Sequence, residues 1–407
     1  MDCGLNQEGT RRNETGQKAI PRAQGKFSSW RNCRDHSRSS DCLVKASEPN
    51  NLLRLAGMPY SHHSHSGQFC KHAVDTLEDV VTEAVRQGFR VFGLSEHVPR
   101  YRASDLYPEE VGGADCSTFH KGWAITSSQN GLTPEDLMKQ FEGYVEEAHR
   151  LKTAYRDKIT LLVGLETEYI TSLDLDNLEK LLERFGEKIE YIVGSVHHIR
   201  GIPIDFDFAT WQSCLETFDG ETEHERMEGF LCAYFDAQHE LLQRFRPEIV
   251  GHIDLCRLYH PRLLFSDYPR AVEKLERNIR FGVEYGALFE ASAAPFRKGW
   301  DTAYPGKDVL EVGHLPVAQR SWDLNQAQTI INLGGRVALS DDSHGKHAVG
   351  INYGRLVDYL KTSGIREIYC LVRCGIGEEK KTRATVVEEG DWDRQPSVEV
   401  ETPMSPG

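Results

Sequence analysis

Residues 62 to 65 read HHSH. In an extended strand residues two apart share a face, so His63 and His65 point together, as two ligands of one metal ion would. Taken alone the pair is equally a polar strand end, and His72, a few residues on, is equally a surface or capping histidine. The reading changes as donors accumulate: SEH supplies His97, GLE supplies Glu166, SVHH supplies His197, GHID supplies His252, and SDDSH supplies Asp342 and His344. If one fold gathers these imidazoles and carboxylates, many buried polar groups stay unsatisfied unless cations sit among them. The sequence therefore predicts a multinuclear metal site. Nitrogen and carboxylate donors suit zinc, manganese or ferrous iron, and Cys70, between His65 and His72, is given no ligand role. His149, His224, His239 and His260 fall in helical or loop stretches and are read as structural.

Parallel strands are what could gather them. The donors close short apolar runs: MPYSHH (58–63), RVFGLS (90–95), ITLLVGLE (159–166), YIVGSVHH (191–198), EIVGHIDL (248–255), ALFEAS (287–292) and RVALSDDSH (336–344), while EIYCLV (367–372) lacks a polar end. Helical-period segments separate the runs, which is the pattern of βα units around a parallel sheet. One helix is expected from an acidic capping box, Asp75 with Glu78, to Gly88, and another from Thr133 with Pro134 in its first turn. Others are expected near 174–185, 223–245, 269–285 and 322–333. Strand ends from distant positions converge only if the strands lie side by side and point one way, so the α/β class expected is a barrel of about seven βα units. The connections at 101–132 and 199–222 become loops over its mouth.

The chain has 407 residues, with 48 Lys and Arg against 62 Asp and Glu and a net charge of −14. That balance disfavours nucleic acid as a partner. With a mean hydropathy of −0.50 and no apolar run near the span length, no membrane partner is expected. Ten cysteines without a CxxC pair or a regular framework read as reduced thiols, and no apolar leader stands at the N-terminus, so the expected location is cytoplasmic. Residues 1–57 carry ten basic against six acidic residues and no periodicity, and are expected to be a disordered N-terminal extension, with Met58 an alternative start. Six acidic residues argue against a mitochondrial presequence. Residues 58–376 form the expected folded domain and 377–407 an acidic, disordered C-terminal tail.

The ordered motifs HSHSGQFCKHA, SEHVPR, GLETEY, GSVHHIRGIPID, GHIDLCR, EASAAPFRKG and SDDSHG, over residues 58–375, resemble the fungal-type histidinol-phosphatase branch of the polymerase and histidinol phosphatase (PHP) superfamily. The resemblance implies a distorted (β/α)7 barrel, three divalent metal ions (Zn, Mn or Fe), and hydrolysis of L-histidinol phosphate in histidine biosynthesis. It implies that His63, His65 and Asp342 hold the first ion. Glu166 would bridge to a second, completed by His197 and His252, and His72, His97 and His344 would hold the third. Asp341 and Glu168 remain alternatives to Asp342 and Glu166, and His62 and His198 are neighbours that could orient a ligand. Arg257 and Arg297 fall on positions for phosphate contact, where guanidinium suits the bidentate geometry. The family's Asn-Thr-Ser run is replaced by ASAAP, so either Ser292 serves in place of its Asn or that contact is absent.

No side-chain nucleophile is assigned, since cations that lower the pKa of water supply one at neutral pH. The cationic ends of the implied substrate would favour an acidic partner, for which Asp205, Asp207 and Asp254 are candidates. Two other readings compete: a PHP-superfamily phosphoesterase acting on nucleotides or phosphotyrosine, and a non-catalytic metal-binding scaffold.

Overall fold

The computed structural model describes residues 60–111, 131–310, 330–374 and 382–387. In chain order the strands are β1 (Tyr60–Ser61), β2 (Ser64–His65), β3 (Val91–Leu94), β4 (Thr160–Glu166), β5 (Tyr191–Gly194), β6 (His198–Ile199), β7 (Ile202–Pro203), β8 (Ile249–Val250), β9 (Leu288–Ser292), β10 (Arg336–Ser340), β11 (Ser343–His344), β12 (Ile368–Arg373) and β13 (Thr382–Val387). Nine join one sheet in the order β1-β3-β4-β5-β8-β9-β10-β12-β13. Every neighbouring pair is parallel except β12 with β13. Sheet order follows chain order, as successive βα units dictate, and the α/β class read from the sequence holds.

The sheet curls. Val91, Leu162, Tyr191, Val193, Ile249, Leu288, Ala338 and Leu371, from seven strands, meet in one apolar cluster that a flat sheet could not assemble. Tyr191 is the plug at its centre. A Cβ on Gly93 would lie 2.2 Å from its Oη and one on Gly164 2.4 Å from its ring, so glycine at both positions makes the room. At the seam the imidazole of His62 links the first and last parallel strands: Leu371 N donates to Nε2 at 3.0 Å, and Nδ1 faces Leu339 O at 3.4 Å. Burial pushes the His62 pKa down to about 4, consistent with a neutral ring that accepts at one nitrogen and donates at the other.

Helices cover the outside through apolar stripes. On Leu77–Arg86, Leu77, Val80, Val81 and Ala84 are fully buried, a spacing of one helical face. Each such Leu or Val contributes about 1.5–3 kcal/mol. The helix Pro134–Ala154 starts as expected, with Thr133 and Asp136 forming the capping box. Ser172–Phe185, Glu223–Phe245 and Pro269–Tyr285 also lie where periodicity puts them.

Three expectations change. The first helix is capped by Thr76 with Asp79, one residue later than the Asp75–Glu78 box. Asp75 takes a left-handed φ of 67° and accepts from Lys346 N at 3.1 Å, a contact 271 residues away that local spacing does not reveal. The connection 199–222 is not bare loop: it holds the β6–β7 hairpin and the helix Phe208–Leu215. Thr382–Val387, assigned above to the tail, is strand β13, antiparallel to β12 along six residue pairs. Its TRATVV sequence carries β-branched residues that pack along β12, a signal drowned by the charges flanking it. The extension 1–57, segments 112–130, 311–329 and 375–381, and residues 388–407 lie outside the described residues, as does most of the helix expected at 322–333. Among the described residues no helix is long and apolar enough to cross a membrane.

Candidate metal centre

Strand alternation aims the donors. Along β4, Leu162, Gly164 and Glu166 face inward, from the apolar plug up to the rim, and the same period in β3 and its continuation leads from Val91 to His97. His97 forms an isolated parallel bridge with Glu166. The short pair β2–β11 sets His65 level with His344, and their rings lie 4.6 Å apart. His72 arrives on a turn closed by Cys70 N to Ser66 O (2.9 Å) and by Val74 N to His344 O (3.2 Å).

The centre is organised around Glu166. Its Oε1 lies 3.1 Å from His63 Nε2, 3.3 Å from His197 Nε2 and 3.1 Å from His252 Nε2, while Oε2 lies 3.3 Å from His65 Nε2 and 3.0 Å from His97 Nδ1. Asp342, turned inward by a φ of 48°, brings Oδ1 to 3.7 Å from His63 Nε2 and 3.6 Å from His65 Nε2. Asp341 points the other way. It accepts from Ser61 Oγ at 3.1 Å, Ser343 N at 3.2 Å and Gly350 N at 2.6 Å, and burial pushes its pKa up to about 6.

Carboxylates absent from the sequence-derived donor set stand behind the imidazoles. Glu290 Oε1 accepts from His63 Nδ1 at 2.7 Å and from Ser340 Oγ at 2.6 Å, and Oε2 accepts from His252 N at 2.6 Å, so His63 presents Nε2 inward. Glu96 accepts from Ser66 N and Oγ and lies 3.6 Å from His65 Nδ1. Glu168, weighed above as an alternative ligand, sits 3.3 Å from His97 Nδ1 and 3.6 Å from the Nδ1 atoms of both His197 and His198. His198 therefore belongs to the outer ring, and His62 to the seam.

Electrostatics follow from this crowding. Burial opposes a charge on Glu166, yet His63, His197 and His97 hold its carboxyl well below the usual range. Burial also opposes a charge on His65, but the nearby carboxylates of Glu166 and Glu96 outweigh it and raise the pKa to about 9. Burial pushes His344 down to about 3.

These residues fit divalent cations. His63 Nε2, both nitrogens of His65, His97 Nδ1, His197 Nδ1 and both Glu168 oxygens are buried without a hydrogen-bond partner. His72 Nε2 and His97 Nε2 face each other at 3.3 Å, where two like nitrogens need a cation or a proton between them. Donor sets of cation-binding size are His63–His65–Asp342, His63–Glu166–His252, His97–Glu168–His197, His65–His97–His344 and Cys70–His72–His97. The first matches the implied first set. The implied third set is split, with His344 grouped with His65 and His97, and His72 grouped with His97 and Cys70, whose Sγ is 3.1 Å from His72 Nε2.

The arginines differ. Arg297 is exposed, and its Nη2 donates to Asp342 O at 2.8 Å, which sets the guanidinium on the rim. Arg257 is 4% exposed: Nε lies 3.1 Å from Asp254, Nη1 donates to Asp308 at 2.9 Å, and the group stacks on Phe265 at 4.2 Å. Among the described residues Nε and Nη2 are both buried without a hydrogen-bond partner, and Nη2, unlike Nε, has no carboxylate beside it. Replacing Arg257 with alanine is expected to cost about 3–5 kcal/mol in denaturant unfolding, because Asp254 is left buried and unpaired. Ser292 is fully buried and its Oγ accepts from Ala294 N at 3.2 Å, so it caps the turn carrying Arg297.

A mostly parallel α/β sheet with this ring of imidazoles and carboxylates at one rim is the architecture of a divalent-metal-binding domain. Residues 61–294 match the PHP domain, and the chain belongs to that family. It is 38% identical to the "Probable histidinol-phosphatase" of Schizosaccharomyces pombe, over 83% of this chain and 97% of that protein. It is 29% identical to the histidinol-phosphatase of Saccharomyces cerevisiae, over 74% of this chain and 88% of that one. A solved structure of a candidate histidinol phosphatase from Listeria monocytogenes shares the fold, with a TM-score of 0.52 at 20% identity, covering 72% of this chain and 98% of that chain.

Proposed function

We propose that this chain is a metal-dependent phosphoric monoester hydrolase that converts L-histidinol phosphate to L-histidinol and phosphate in the cytoplasm. The observation that carries the metal-dependent half is Glu166, whose two oxygens face two different groups of imidazoles as a bridging carboxylate does. The named fungal relatives, aligned over most of both chains, support the substrate.

Three ions are proposed, held by His63, His65 and Asp342, by Glu166 with His197 and His252, and by His72, His97 and His344. Bound there, divalent cations would acidify a water and neutralise charge on a phosphoryl group. The residues do the positioning. Glu290 and Glu96 fix the rings of His63 and His65, Glu168 steadies His97 and His197, and the buried rim keeps their fields unscreened. Arg297 presents its guanidinium to the equatorial phosphoryl oxygens, and Arg257 contributes through Nη2.

The test is orthophosphate release from L-histidinol phosphate, compared with nucleoside monophosphates and phosphotyrosine under identical metal conditions. Histidinol phosphate should show the highest kcat/KM, and a preference for another ester would refute the substrate assignment. Arg297→Ala is expected to lower kcat/KM by about 10- to 100-fold, the loss of one charged hydrogen-bonding group to phosphate. Bound-metal content should stay unchanged in that variant.

A further inference from the structure

The proposed substrate is bipolar. Its phosphate end suits cations and arginine, while its other end carries an ammonium group and an imidazole, and these call for an anionic partner outside the metal ring. Three carboxylates were candidates on sequence, and the structure separates them. Asp207 Oδ1 accepts from Thr210 N at 2.6 Å and caps the helix Phe208–Leu215. Asp254 is fully buried, accepts from Gly306 N at 2.8 Å and pairs with Arg257. Asp205 is half-buried and, among the described residues, accepts no hydrogen bond and enters no ion pair.

Its placement is set by the backbone. Ile204 N donates to His197 O at 2.9 Å, so the residue before Asp205 is tied to a donor of the centre. The residue after it, Phe206, stacks on Tyr107 at 6.2 Å with the rings 7° from parallel. Tyr107 also stacks on His198 at 6.2 Å and meets His72 edge-on at 5.9 Å. Tyr304 lies 6.3 Å from the His252 ring, with a buried Oη that has no hydrogen-bond partner among the described residues. Asp205 therefore stands between a residue tied to His197 and the Tyr107–Phe206 stack, at the edge of the donor ring.

We propose that Asp205, beside the Tyr107–Phe206 aromatic wall, is the subsite for the protonated nitrogen end of the substrate and determines specificity for cationic phosphate monoesters. This rests on the histidinol phosphate reading above. An aromatic wall takes the flat ring, and the carboxylate takes the positive charge.

The experiment is steady-state kinetics of wild type, Asp205→Asn and Asp205→Glu on L-histidinol phosphate and on p-nitrophenyl phosphate, which has no cationic end, with L-histidinol as competing inhibitor. Asp205→Asn should raise KM for histidinol phosphate by about 10- to 100-fold, the loss of a charge-assisted contact. Its kcat should stay within about threefold and its kcat/KM for p-nitrophenyl phosphate within about twofold, because the contact is made equally in ground and transition states. The inhibition constant of L-histidinol should rise with KM, and Asp205→Glu should recover part of the loss. Equal losses on both esters, or an unchanged KM, overturn this inference alone. A wild-type chain with no preference for histidinol phosphate overturns the proposed function and this inference with it.

Discussion

Glu166→Ala is expected to lower kcat by about 10³-fold or more, since it removes several kcal/mol of cation-dependent stabilisation at once. It should also lower the number of bound metal ions. Five imidazole nitrogens lie within 3.3 Å of this carboxylate, so its loss opens every donor set it joins. The neighbouring Glu168→Ala is the matched comparison. Glu168 lies 3.3–3.6 Å from the Nδ1 atoms of His97, His197 and His198, and of these nitrogens only that of His97 also faces Glu166, so about a 10- to 100-fold loss in metal affinity is expected, with activity recovered at higher metal concentration. Metal analysis of the purified variants beside kcat at saturating metal separates the two roles. If Glu166→Ala retains near-wild-type turnover, or loses no metal, the bridging role is wrong.

The candidate donors were legible in the sequence because strand periodicity is local. The HxH of His63 and His65 needed only a two-residue period to place their side chains together. What supports the donors was not legible, because it depends on register between strands. Glu290 sits inside an apolar run, ALFEAS, and reads as one more polar strand residue. Only the parallel pairing of β9 with β10, Ala338 opposite Glu290, brings it near Ser340 and up against His63. A buried acid two residues before a strand end was a signal available in the sequence, but it named no partner. Asp341 and Asp342 were inseparable by spacing alone; the left-handed turn at Asp342 puts its carboxylate beside His63 and His65, while Asp341 turns to Ser61, Ser343 and Gly350. Cys70 was passed over because the turn that sets it beside His72 is closed by hydrogen bonds no motif announces. Strand β13 was missed for a different reason: six residues of weak alternation become a strand only when β12 offers its edge.

Removing the metal ions with a chelator is expected to abolish turnover while leaving the chain folded, because protons take over part of the cations' role. His63 and His65 have raised pKa values, so in the stripped protein at neutral pH they carry charge against Glu166, Glu290 and Glu96. The sign of the pH dependence follows. A histidine whose folded pKa is raised gives stability that is fully present below its unfolded value of about 6.5 and is lost as pH rises towards its folded value. For His65 the loss runs up to about 9. His62 and His344, lowered by burial to about 4 and about 3, act in reverse, destabilising the fold as pH falls below about 6.5 while the unfolded chain takes up protons. The stripped protein should therefore be most stable near pH 6.5 and lose Tm on both sides. Metal must displace the same protons, so its apparent affinity should climb from about pH 6.5 to 9, and the Tm gap between loaded and stripped protein should widen with it. Thermal melts of both forms across that range, with proton release measured on metal addition, provide the check. A stripped protein whose Tm climbs steadily through pH 9, or metal binding without proton release, would show that these imidazoles are not the groups the cations displace.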